Sequence, residues 1–270
     1  MRPRLVPVVL LTLLAAGCGS DAPAADPTPA PTGDLPADTD AARGELAARA
    51  ALAQDFRYSA LYDFDPGDGQ GIRAVVATVA TDGTWRVDVP GGALGGTADV
   101  SVVQVGDGIY QCAMPSATNP ISPSCVRVAE PNKKLPKEYD PKVQRVFRQW
   151  LSVFQDRQAP LSVVAAQPLS NQGPAAQGKC YAVDGISASL KPPVDVGIYC
   201  YADNGQLTAA RVDFGTLTLV SVAAAPPRID LPGPISGGEA MGMKSPPPPP
   251  PPPAVDPSNG PTSSGAQPQG

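Results

Sequence analysis

The chain of 270 residues carries 20 basic and 25 acidic side chains and no histidine, for a net charge of −5. Without histidine there is no Ser-His-Asp or Cys-His nucleophile, no HExxH motif and no His-ligated zinc, and the acidic balance argues against nucleic acid as a partner. Only 17% of the residues are charged, whereas 35 are proline and 15 of those prolines follow residue 225, so the end of the chain is a different material from its middle.

Arg2 and Arg4 precede an apolar run from Leu5 to Leu14, which is too short to cross a bilayer as a helix and has the layout of an export signal. Ala15, Ala16 and Gly17 then lead directly into Cys18. Small residues running into a cysteine resemble a lipobox, the cleavage site of bacterial lipoproteins. Residues 1–17 are then a signal peptide, and Cys18 is the lipidation site and first mature residue. The other reading is an ordinary signal peptide that leaves a free thiol. Loss of residues 1–17 removes two arginines, leaving 18 basic against 25 acidic side chains. A cysteine carrying two or more acyl chains holds a protein firmly at a membrane. The expected location is therefore the extracytoplasmic face of the cell membrane, with the membrane itself as first partner. Residues 18–39, rich in Ala, Pro, Asp and Thr, read as a lipidated disordered tether of at most ~65 Å at ~3.1 Å per residue.

Residues 40–235, about 195 in number, are enough for a single core. The stretch 39–54 is alanine-rich, with Asp40 as a cap and Leu46, Ala50 and Ala53 on one face, and predicts a first helix. The period then changes to two. FRYSALYDF (56–64) and IRAVVATVAT (72–81) predict strands, and Asp82-Gly83 turns the chain into TWRVDV (84–89). ADVSVVQV (98–105) and IYQCAM (109–114) flank Gly106-Asp107-Gly108, and SCVRVA (124–129) pairs back. In DPKVQRVFRQWLSVFQD (140–156), Asp140 is a cap and Pro141 occupies the first turn. Val143, Val146, Phe147, Trp150, Leu151 and Phe154 recur at helical spacing, which predicts a second helix. PLSVVAAQPL (160–169) suits a strand or a short helix. KCYAVDGIS (179–187), VDVGIYCYAD (194–203), QLTAARVDF (206–214) and GTLTLVSV (215–222) read as strands, with a hairpin turn at Asn204-Gly205. Residues 236–270 are expected to be a disordered, proline-rich tail, within which Pro246–Pro253 would form a rod of roughly 25 Å.

With Cys18 acylated, four cysteines remain. An extracytoplasmic location permits disulfides, and the strand pattern favours Cys112–Cys125 and Cys180–Cys200. They would close loops of about 14 and 21 residues, each worth roughly 3 kcal/mol through loop-closure entropy. The spacings are not CxxC, so a four-thiolate metal site is not expected.

The order of lipobox, tether, helix, strand meander, aromatic-rich helix and further strands resembles the LolA-like superfamily. That group takes in lipoprotein carriers and LppX/LprG-type actinobacterial lipoproteins. The resemblance runs from about Ala41 to Val222 and is carried by FRYSALYDF after a helix, TDGTWRVDV and VGDGIYQC. It implies an α+β fold, an antiparallel, strongly curved sheet forming a half-barrel and covered by one or two helices, several members of which hold acyl chains between sheet and helix. Val146, Phe147, Trp150 and Phe154 are then the candidate ligand-binding residues, although an apolar stripe of this kind also simply fills a core. DFDPGDGQG (63–71) fails the calcium-loop pattern, since its fifth place is Gly67 and its twelfth Ala74. It also fails the phosphate-loop pattern. NKKLPK (132–137) is a basic loop able to touch anionic headgroups. No catalytic constellation, cofactor or metal is expected. The functional expectation is a membrane-anchored lipoprotein that binds or carries a hydrophobic ligand. The alternative is a non-catalytic interaction or sensor lipoprotein contacting a membrane or cell-wall protein.

Overall fold

The computed structural model describes residues 37–247, apart from 70, 118, 170–172, 174–175 and 187–190. The expected signal peptide, Cys18, nearly all of the expected tether and the polyproline run from Pro248 onward lie outside the described residues.

The first helix, α1 (Ala37–Asp55), forms where alanine and leucine dominate, and Ala42, Leu46, Ala50 and Ala53 make its buried stripe. Its polar side chains tie it to the sheet it covers. Glu45 accepts from Lys179 Nζ (3.2 Å) and Tyr181 Oη (3.2 Å), and Arg49 pairs with Asp203 (2.6 Å).

Six strands follow: β1 (Tyr58–Asp65), β2 (Arg73–Val79), β3 (Trp85–Ala93), β4 (Ala98–Val105), β5 (Gly108–Met114) and β6 (Ser124–Ala129). After the segment 137–155 come β7 (Leu161–Ala166), β8 (Lys179–Gly185), β9 (Gly197–Tyr201), β10 (Leu207–Val212) and β11 (Gly215–Ala223). The open choice at 160–169 resolves as strand, as its β-branched residues favour. All eleven strands form one open antiparallel sheet of order β6-β5-β4-β3-β2-β1-β11-β10-β9-β8-β7. The sheet is therefore two meanders, β1–β6 and β7–β11, joined where the first strand pairs with the last. The fold is α+β, as expected.

One face holds the main core. Tyr58, Ala60, Tyr62 and Phe64 of β1 alternate inward, as do Val75, Ala77 and Val79 of β2 and Trp85, Val87 and Val89 of β3. The predicted turn at Asn204-Gly205 abuts α1. Gly205 has φ +87°, and a Cβ there would lie 2.4 Å from the Ala53 nitrogen, so only glycine fits.

The outer face carries two smaller clusters, each around a disulfide. Cys112 and Cys125 are cross-strand partners of β5 and β6, and pack with Ala80, Val103, Tyr110 and Ile229. Cys180 and Cys200 are partners of β8 and β9, and pack with Leu169 and Ala209. Both bridges are the expected ones.

Two expectations need correction. Residues 140–156 are not one helix. A 3₁₀ turn spans Val143–Val146, hydrogen-bonded turns follow, and the α-helix α2 is only Leu151–Gln155. The Trp150 N–H donates to Arg145 O (3.0 Å), five residues back. The β-branched and aromatic residues that give the stripe its period are modest helix formers, and their packing on the sheet overrides the ladder.

The boundary at 235/236 is also too early. Thr81 and Asp82 donate N–H bonds to Pro226 O (3.0 Å) and Pro227 O (3.1 Å), which starts a C-terminal strap on the outer side. The strap then lies beside β6. Cys125 N–H donates to Pro234 O (2.9 Å), Ser236 N–H donates to Cys125 O (2.8 Å), and Ile235 makes a parallel bridge with Cys125. Past that edge it reaches the inner side. Gln111, buried in β5, accepts from Met241 N–H (2.6 Å) and donates to Met241 O (2.9 Å) and Tyr139 O (3.2 Å). Met241 and Met243 pack against the main core. Proline and glycine prevent 226–243 from forming a regular strand, yet many of its backbone groups find partners elsewhere in the chain.

Replacing Gln111 with leucine leaves the Met241 amide and two carbonyls without their partner. Gln111→Leu should lower unfolding stability by roughly 2 kcal/mol and speed tryptic cleavage after Lys244. Urea denaturation and timed proteolysis measure the two effects.

Candidate functional site

The segment 140–155 crosses the inner face, and Asp140 organises its start. This aspartate is 5% exposed. Its Oδ1 accepts from the Lys142 N–H (2.8 Å) and Gln144 Nε2 (2.6 Å), and its Oδ2 accepts from Arg145 Nε (2.8 Å) and Nη2 (2.5 Å). The expected capping role thus becomes a tight turn, with Lys142 at φ +67°, closed by a two-pronged arginine pair.

The four candidate ligand residues come together, and all are buried. Phe147 sits 5.0 Å from Tyr62, Phe154 meets Tyr199 edge-on at 4.9 Å, and Trp150 meets the same tyrosine edge-on at 5.9 Å and Phe214 at 6.2 Å. Val146 is fully enclosed. In this arrangement they fill the space between cover and sheet, with ring geometries that favour edge-to-face attraction.

Open volume lies on either side of the segment. One cleft of about 740 Å³ is bounded by the loop 134–137, by Asp140–Val153, and by Lys191–Asp195 with Asp213. A smaller one of about 340 Å³ lies between Trp85, Gln104 and Ile109 of the sheet and Arg148, Gln149 and Ser152 of the cover. Lys134 and Gln149 line both. The basic loop NKKLPK therefore stands between the two, and Gln104 holds its Asn132 by accepting from the N–H (3.1 Å).

The larger cleft has two carboxylates with opposite circumstances from Asp140. Asp195 is half-buried, its Oδ2 has no hydrogen-bond partner, and burial followed by the nearby Asp213 charge pushes its carboxyl above the ordinary value. Lys142, Arg145 and Lys191 pull it back in part. On the cover, burial lowers the Arg148 guanidinium pKa, and Arg148 donates to Gln54 O (3.2 Å). Burial also pushes the Tyr58, Tyr62, Tyr199 and Tyr201 hydroxyls far up, so these phenols stay neutral.

Among the described residues no three His, Cys, Asp or Glu side chains gather as a metal site. No helix among them is long and apolar enough to cross a membrane. Within the stretch 63–71, Asp63–Asp65 belong to β1, Gly67 and Gly69 have positive φ, Gly67 N–H donates to Asp65 Oδ1 (2.9 Å), and Asp68 pairs with Arg73 of β2 (2.5 Å). Sequence reasoning missed Lys142, Lys191, Asp195 and Asp213 as neighbours of the basic loop. Lys142 lies in the stretch predicted as a helix, and no spacing signal links it to residues 191–213.

No protein-family model matches the chain, and no curated protein matches it.

Because the folded-state pKa of Asp195 is raised, its ionisation opposes folding once pH rises above the unfolded value near 3.8. Asp195→Asn should therefore raise the melting temperature at pH 7, and the gain should vanish below about pH 4. Thermal melts at the two pH values test this.

Proposed function

We propose that the protein is a lipoprotein anchored through Cys18 on the extracytoplasmic face of a bacterial cell membrane. Its folded part is a LolA-like, non-catalytic module, a half-barrel that takes an acyl chain or other hydrophobic ligand between sheet and cover. The observation that supports this reading best is the cover itself. It is a 3₁₀ turn, a run of turns and one five-residue helix, with clefts on two sides. Few backbone bonds must break to lift such a segment. Lifting it would turn Val146, Phe147, Trp150 and Phe154 from core filling into the wall of an apolar site of the usual ligand-binding kind.

A second reading has its own support. The same four side chains already fill the interior against Tyr62, Tyr199 and Phe214. A module whose core is complete without cargo would act through its surface, as an interaction or sensor lipoprotein contacting a membrane or wall protein.

Native mass spectrometry of the Cys18→Ser protein, secreted by an actinobacterial host, separates the two. The hydrophobic-ligand reading expects extra mass of several hundred daltons that leaves into organic solvent. A bare protein at the sequence mass, less the hydrogens lost in its disulfides, overturns it and leaves the interaction reading. Detergent phase partition tests the anchor. The native protein should enter the detergent phase and Cys18→Ser the aqueous phase, and equal partition of both would refute acylation at Cys18.

A further inference from the structure

The protein is acidic overall, yet its lysines are not spread over it. Five of its seven lysines, Lys133, Lys134, Lys137, Lys142 and Lys191, line the two clefts beside the 140–155 segment. Four of them line the larger cleft, and they come from three separate stretches of chain: the loop 134–137, the turn at 142 and the stretch beginning at 191. Among the described residues none of these four joins an ion pair. The Asp140 carboxylate is already matched by Arg145. That leaves four lysines facing two carboxylates, Asp195 and Asp213, and the surplus is positive.

Converging like charges repel, and a fold keeps them at one concavity only at a cost in stability. They would gain from an anion. Lysine ammoniums are compact point charges that suit phosphate oxygens. The same cleft also has apolar wall, from Leu135, Pro136, Trp150, Val153, Pro192 and Pro193, which suits the carbon body to which a phosphate ester is attached.

We propose that the cleft between the loop 134–137, the turn at Lys142 and Lys191 is a binding site for a phosphate ester, with Lys134, Lys142 and Lys191 contacting the phosphate from three walls. The site does not depend on the hydrophobic-ligand reading above. A phosphate ester can enter whether or not the cover ever lifts. The phosphate can belong to a small soluble ester or to a lipid headgroup.

The test uses the full chain carrying Cys18→Ser, so that no anchor contributes, at physiological salt. Binding of sn-glycerol phosphate is measured by calorimetry, and binding to phosphatidylglycerol vesicles by co-sedimentation against phosphatidylcholine vesicles. The variant Lys134→Gln/Lys142→Gln/Lys191→Gln changes three exposed side chains, and Arg57→Gln/Lys179→Gln/Arg211→Gln removes the same charge elsewhere. The expected result is binding that the first variant weakens at least about tenfold, while the second stays within about twofold. Binding to glycerol phosphate identifies a soluble ester as sufficient. Binding only to phosphatidylglycerol vesicles identifies the lipid-borne source. No binding in either arm, or equal weakening by both variants, overturns the site. Glycerol phosphate has no acyl chain, so its result stands apart from the search for a hydrophobic cargo.

Discussion

Seven residue pairs join β1 to β11, from Ser59–Ala223 to Asp65–Thr216. That single ladder turns two local meanders into one sheet. Each meander alone is built from neighbours in sequence, which fold without closing long loops. The β1–β11 ladder closes a loop of most of the domain and must form against that entropy. Its inward residues repay the cost. Tyr62 and Leu219 face each other there, and the Tyr62 hydroxyl reaches across to donate to Leu207 O (2.9 Å) in β10. The cover can then lie over both meanders, and the larger cleft beside it brings Lys134, from the loop after β6, together with Asp213, from the turn between β10 and β11.

Much of this was legible beforehand where the cause is local. The alternation Phe56-Tyr58-Ala60-Tyr62-Phe64 marks β1 because a half-buried strand needs period two. The cross-strand disulfides follow from hairpin register, since Cys112 opposes Cys125 and Cys180 opposes Cys200. The long helix over 140–156 was not there to be found. Its period survives, because Val146, Phe147, Trp150 and Phe154 are all buried. Its hydrogen-bond ladder does not, because period reports only which side chains face the core and not how the backbone gets them there. The strap was hidden for the opposite reason. Proline and glycine between 226 and 243 look like free tail, and only the tertiary partners at Thr81, Gln111 and Cys125 give the segment a place. The lysine cleft has no sequence signal at all beyond NKKLPK, since its other walls come from elsewhere in the chain.

The two faces of the sheet differ in how they are held. The outer face has its cystine bridges, one in each meander, each under a covering residue, Ile229 or Leu169. The inner face has no covalent tie among the described residues and is held by its apolar core, by the anchoring of α1 through Glu45 and Arg49, and by the Gln111–Met241 bonds of the strap. The covalent ties therefore sit on the side away from the cover. Repacking on the inner side would leave both bridges in place.

The two edges of the sheet are also unlike. The strap covers β6 at Cys125, whose N–H and carbonyl both bond to it. At the other end, Arg43 of α1 reaches only the start of β7, donating to Leu161 O and to Ala159 O (2.6 Å). Beyond that point β7 has β8 as its sole strand partner among the described residues, with Val164 exposed beside it. Open strand edges are the usual route to uncontrolled assembly. With the start of β6 occupied by its own chain, the freer edge among the described residues is β7. Strand-to-strand association through β7 on both sides closes as a two-fold pair, which leaves that edge nowhere to add a third copy. Association through that edge therefore favours pairs over a growing ribbon.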